Sequence, residues 1–211
     1  MQLTSNDFSR VFDAWADIMQ RNKERLIQLD SVMGDGDLGL SMTDGFEALR
    51  KFAHETDITD FGTLFYYIGK TMNANASSSL GTLISFGFME AGKAFKGKET
   101  ISGCDISVFL EKFQDGIIIK GKAKIGEKTF LDGFDPAVRI MKKVNNEDKV
   151  REGLRDASIA AKSGAENTMG MLACWGRAAR RGEDSRKFLD PGAVAAALMV
   201  EALANCFEMN A

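Results

Sequence analysis

The segment LDSVMGDGDLGLSMTDGF, residues 29–46, brings Asp30, Asp35 and Asp37 within eight positions, with Gly34, Gly36 and Gly39 threaded among them. Carboxylates held a few ångströms apart repel strongly, so such a cluster calls for a cation among its members. An EF-hand starting at Asp35 fails, because Gly39 stands where its fifth position needs an oxygen ligand and Phe46 where its twelfth needs Glu. Carboxylates without neighbouring His or Cys suit a hard ion, and Mg²⁺ typically takes one or two of them together with substrate phosphates. Glycines let the backbone wrap closely round such an ion. The spacing leaves two readings open: a metal site, or a solvated Asp-Gly turn capping the helix that begins near Leu40.

Other segments also carry residues suited to chemistry. The stretch NANASSSLGT, residues 73–82, places hydroxyls and small residues ahead of an apolar helix, where backbone N–H groups and the helix dipole can meet an anion. GFMEAGKA, residues 87–94, has the spacing of a phosphate loop but carries Ala94 where a hydroxyl must reach magnesium, and no strand precedes it. It reads as a helix with small residues at a packing face. His54, the only histidine, sits near a helix C-terminus and reads as exposed, which leaves the chain without a histidine base of its own. Arg177, Arg180, Arg181, Arg186 and Lys187 cluster in a long charged loop over 175–193, and arginines beside a metal site are what phosphoryl transfer uses to neutralise the moving group.

The elements that must position these residues are helical. The 211 residues read as one domain, 1–211, with apolar residues recurring at three- and four-residue steps and only Pro136 and Pro191 as prolines. Helices are predicted at about 6–29 (N-cap Thr4 or Ser5), 40–55, 60–75, 79–97, 105–120, 132–145, 147–173 and 191–208, with GIIIK at 116–120 kept helical. Phe61, Leu64, Phe65, Ile68, Met72, Leu83, Phe86 and Met89 read as core. With 27 Lys plus Arg against 30 Asp plus Glu and a net charge of -3, no nucleic-acid partner or anionic membrane surface is expected. Cys104, Cys174 and Cys206 show neither zinc spacing nor a disulfide framework, and no apolar run is long enough to span a bilayer, so a cytoplasmic location is expected.

LDSVMGDGDLGLSM, SSSLGT, GEKTFLDGFDPA and GRAARRGEDSRKFLDPGA occur in the order and spacing of the nucleotide-binding L subunit of dihydroxyacetone kinases, a Dak phosphatase-like domain, and the whole chain resembles that family. The resemblance implies an all-α fold, an eight-helix antiparallel barrel with an adenine nucleotide (ADP or ATP) and two Mg²⁺ ions at one end. By motif match it assigns the ions to Asp30, Asp35 and Asp37, which with Arg177 form the catalytic set. It assigns nucleotide contacts to Leu38, Gly39, Leu40, Ser41, Ser77, Ser78, Ser79, Gly121, Thr129, Phe130, Arg177, Asp190, Pro191 and Gly192. It also implies a separate K subunit that holds a short keto sugar, and it admits a phosphohistidine protein of the phosphotransferase system as phosphoryl donor to a tightly held ADP. The alternative within the family is a non-catalytic, nucleotide-binding regulator. Four positions depart from the family pattern: Leu38 stands where His is common, Ser41 where Asn is common, and Arg180 with Arg181 where aromatic and aliphatic residues are common.

Overall fold

A computed structural model describes residues 2–208. The first helix, α1 (Ser5–Arg21), opens with a capping box in which the Thr4 and Asp7 side chains each accept from the other's backbone N–H. Its apolar stripe of Phe8, Val11, Phe12, Trp15, Ile18 and Met19 is buried at helical spacing. The single helix expected over 6–29 is two. Asn22 breaks it by donating from its side-chain amide to the Ile18 carbonyl, and α2 (Lys23–Met33) then starts afresh.

The remaining helices are α3 (Leu38–Glu55), α4 (Phe61–Asn75), α5 (Ser79–Ala94), α6 (Asp105–Gly121), α7 (Phe130–Met141), α8 (Val150–Glu166) and α9 (Pro191–Glu208). The helix expected over 147–173 is shorter, with a 3-10 turn at Glu147–Lys149 before it and an irregular excursion after Glu166. Part of the charged loop forms 3-10 turns, Ala178–Lys187. Two strands, β1 (Gln2–Thr4) and β2 (Thr100–Ser102), pair antiparallel with Leu3 opposite Ile101, too short to leave a periodic signal.

Packing follows chain order from α3 to α9, with α1 on α3 and α9 returning to α1, so that eight helices close a ring; α2 lies outside it against α3 and α9. Successive helices round the ring run antiparallel, and α7 also packs on α9 start to start, Gly133 against Ala193. His54 and Arg50 of α3 bond to Asp13 and Asp17 of α1, Phe52 stacks on Tyr67 while Gly45 meets Met72, and Arg155 of α8 pairs with Glu208 of α9. The ring is filled by edge-packed aromatics: Phe65–Phe109 and Phe88–Phe113 centroids are each 5.0 Å apart, and Trp15 Nε1 donates to the Met199 carbonyl at 2.8 Å. Of the residues expected in the core, Met89 is half-buried at a surface groove and Phe86 is exposed beneath the Lys120 ammonium, which lies 4.3 Å from its ring centroid.

The phosphate-loop-like stretch is the packing face expected of it, since Gly87 lies against the Phe113 ring and Gly92 against the Gly62 carbonyl. A methyl on Gly116 would stand 2.4 Å from the Phe86 carbonyl oxygen, backbone that cannot step aside. Gly116→Ala is therefore expected to force α5 and α6 apart and lower stability by about 1–3 kcal/mol in urea denaturation. An unchanged midpoint would contradict this packing.

Candidate functional site

Alternating helix direction puts the N-termini of α3, α5, α7 and α9 at one end of the ring. Each begins at a residue of the site. Asp37 is the N-cap of α3; Ser78 caps α5, its Oγ accepting from Gly81 N–H at 3.1 Å and from Ser41 Oγ–H at 2.6 Å. Thr129 caps α7 and donates its own N–H to Asp132 Oδ2 at 2.7 Å. Asp190 Oδ1 accepts from Ala193 N–H in the first turn of α9 at 2.7 Å, with Pro191 as the first helical residue. These ends border a cleft of about 720 Å³.

The aspartates occupy one side of that cleft. Asp30 comes from the last turn of α2 and Asp35 and Asp37 from the turn that follows, each offering an oxygen within 4.8 Å of the others. Two glycines make the approach possible: a methyl on Gly34 would lie 2.3 Å from Asp30 Oδ1, and Gly36 has φ +78°. Burial, reinforced by Asp35 and Asp30, raises the pKa of Asp37 against the opposing pull of Arg177. Arg177 Nη2 reaches Asp35 Oδ2 at 2.5 Å. Asp37 makes no side-chain capping bond although it holds the N-cap position, so helix capping does not account for it. An all-oxygen donor set crowded to this degree fits Mg²⁺.

On the opposite side, Asp190 is buried and its carboxyl is pushed up to about 7 by desolvation, against the hydrogen bond from Ala193 and the charge of Lys128. Apolar wall is supplied by Leu80, Leu83, Ile117, Ala123 and Phe130, and Trp175 stands at the mouth.

The structure brings Asp30, Asp35, Asp37, Leu38, Ser77–Ser79, Gly121, Thr129, Phe130, Arg177 and Asp190–Gly192 together around this cleft. Gly39, Leu40 and Ser41 do not line it, because each step along the first turn of α3 rotates the side chain away. Gly39 is pressed against α2, where a methyl would stand 2.3 Å from the Lys23 carbonyl; Leu40 is 46% exposed; and Ser41 lies buried behind Ser78. Sequence reasoning missed Lys128 and Trp175. Lys128 sits inside the quoted GEKTFLDGFDPA segment, and a lysine directly before a helix N-cap and an apolar run was the available signal.

An antiparallel helical ring with a carboxylate triad facing several helix N-termini defines a site of the class that takes a divalent cation together with an anion. Residues 32–205 match the DAK2 domain, and the chain belongs to that family. It is 33% identical over 185 residues, 88% of each chain, to the ADP-binding subunit DhaL of PEP-dependent dihydroxyacetone kinase 1 from Listeria innocua. It is 31% identical over 189 residues, 89% of this chain and 90% of the other, to the corresponding subunit from Escherichia coli. It also superposes with a TM-score of 0.71 and 24% identity on the dihydroxyacetone kinase from C. freundii solved in complex with AMP-PNP and Mg²⁺, covering 93% of this chain and 33% of that one. That likeness shows the all-α fold, and this chain spans about a third of the solved protein's length.

A carboxyl whose pKa is higher in the folded state than in the unfolded one costs stability when it ionises, so the penalty at Asp37 is absent at acid pH and grows as pH rises through and above the ordinary carboxylate range. Without divalent cations, Asp37→Asn is expected to raise the melting temperature at neutral pH by about 1–2 °C, with the difference vanishing near pH 4. The same change should abolish stabilisation by added Mg²⁺, checked by melting scans with and without the ion. A variant still stabilised by Mg²⁺ as the parent is would contradict the site.

Proposed function

We propose that this chain, as a single domain, is the ADP- or ATP-binding subunit of a dihydroxyacetone-type kinase, in which phosphoryl passes from an Mg-bound adenine nucleotide to a short ketose held by a separate sugar-binding K subunit. The observation that carries this reading is the meeting of Asp30, Asp35 and Asp37 with the N-termini of α3, α5, α7 and α9 in one cleft. A polyanionic nucleotide approaches three carboxylates only with cations between them. Two Mg²⁺ ions held by these aspartates would supply that charge and stabilise the moving phosphoryl group.

The chain's own groups do the rest. Free N–H groups at the start of α5, beside Ser77–Ser79, receive phosphate oxygens, and the wall of Leu83, Ile117, Gly121, Thr129 and Phe130 takes the base and ribose and excludes water. Arg177, already beside Asp35, offsets negative charge on the transferring group. No histidine lines the cleft: His54 bonds to Asp13 at 2.8 Å on the α1–α3 face. In this reading the proton of the acceptor hydroxyl is taken by a group of the subunit that brings the sugar, as the family resemblance implies. Relatives of matching length are named PEP-dependent or PTS-dependent, which favours an ADP that stays bound and is rephosphorylated by a phosphohistidine protein.

Purified chain is expected to release about one ADP per molecule on denaturation after loading with ADP and Mg²⁺ and gel filtration. Asp35→Ala should release none while keeping its far-UV dichroism. An Asp35→Ala variant that retains ADP as well as the parent would overturn the metal assignment.

A further inference from the structure

Lys128 is 2% exposed and the backbone there has φ +62°, a left-handed conformation that favours glycine and is uncommon for lysine. A buried ammonium must be matched by acceptors, and burial accordingly lowers its pKa. Its Nζ donates to the Thr168 carbonyl at 2.7 Å and to the Phe188 carbonyl at 2.6 Å. Those carbonyls are the two feet of the excursion that leaves α8 and returns to α9.

Within the excursion Arg186 Nη1 donates to the Gly170 carbonyl at 2.7 Å, and further out Cys174 N–H and Trp175 Nε1–H donate to Glu127. Gly170 N–H donates to the Arg186 carbonyl at 2.8 Å, and Ala173 N–H to Ser185 Oγ at 3.0 Å. Its far end carries Trp175, Gly176 and Arg177 into the cleft, where Arg177 meets Asp35. Thr129, the cap of α7 and part of the same cleft, is the next residue after Lys128.

We propose that Lys128 is a positioning residue: its ammonium clamps the two feet of the 168–188 excursion together, and through that clamp sets where Arg177 stands over the site. A lysine is suited to this because one ammonium offers three donors from a single point, and neither carbonyl has to find a partner elsewhere. A side chain of similar length without donors would leave the Phe188 carbonyl without the ammonium and the Thr168 carbonyl with only the Met171 N–H at 3.1 Å, which loosens the excursion at its base. The clamp itself is independent of the proposed function; only its effect on ligand rests on that reading.

The test is Lys128→Met, which keeps the length and the backbone strain and removes the donors. Hydrogen exchange of the ligand-free chain is expected to quicken at least tenfold at Gly170 and Ala173 with α4–α6 unchanged, and affinity for ADP with Mg²⁺ to fall at least tenfold. Because the effect runs through Arg177, Lys128→Met made in an Arg177→Ala background should cost less than threefold further. Unchanged exchange in the excursion, or a full additional loss in the Arg177→Ala background, would overturn the proposal. Faster exchange in a chain whose parent form does not bind ADP would support the clamp and overturn the proposed function instead. Should Lys128→Met fail to fold, acetylation of the native chain decides: Lys128 is expected to stay unmodified while Lys122 and Lys124 react, and equal labelling would overturn the clamp.

Discussion

Everything at the site depends on the alternating direction of helices round a closed ring. Once neighbours must run antiparallel, every second helix starts at the same end, and α3, α5, α7 and α9 bring their unpaired N–H groups and the positive ends of their dipoles to one cleft. A site of that polarity draws anions. Against it stands the carboxylate triad at the α2–α3 turn, which repels anions and draws cations. The two features are incompatible with a single simple ion and compatible with a metal and a polyanion bound side by side.

The carboxylates come so close because of what surrounds them. Gly34 leaves room for the Asp30 carboxylate, Gly36 takes the turn, and Gly39 lets α3 lie against the backbone of α2. Leu38, where the family commonly has His, joins the core cluster and also lines the cleft, so the departure places an apolar side chain against the site. Ser41, where Asn is common, acts at one remove by bonding to the Ser78 hydroxyl. Arg180 and Arg181 are exposed on the 3-10 segment that follows Arg177 and contribute nothing to the ring.

Much of this was legible in the sequence because the signals are local. The aspartate turn, the hydroxyl before α5 and the Thr129 cap each sit within a few residues of the element they organise, and the apolar period marks the long helices directly. What was not legible depends on partners far along the chain. The break at Asn22 competes with a strongly periodic stripe that runs through it, and the pairing of β1 with β2 joins segments almost a hundred residues apart. Lys128 was not singled out because its acceptors, the carbonyls of Thr168 and Phe188, are backbone atoms whose position no side-chain pattern announces. Leu40, assigned by motif match, stands off the cleft because one residue along a helix turns a side chain by about 100°.

The most direct test of the central claim is calorimetric titration of the intact chain, freed of retained nucleotide, with ADP in the presence and absence of Mg²⁺. A cleft in which carboxylates and phosphates are reconciled by metal predicts tight binding with Mg²⁺ and little or none without it. Equal affinity in both conditions, or no binding in either, would contradict it.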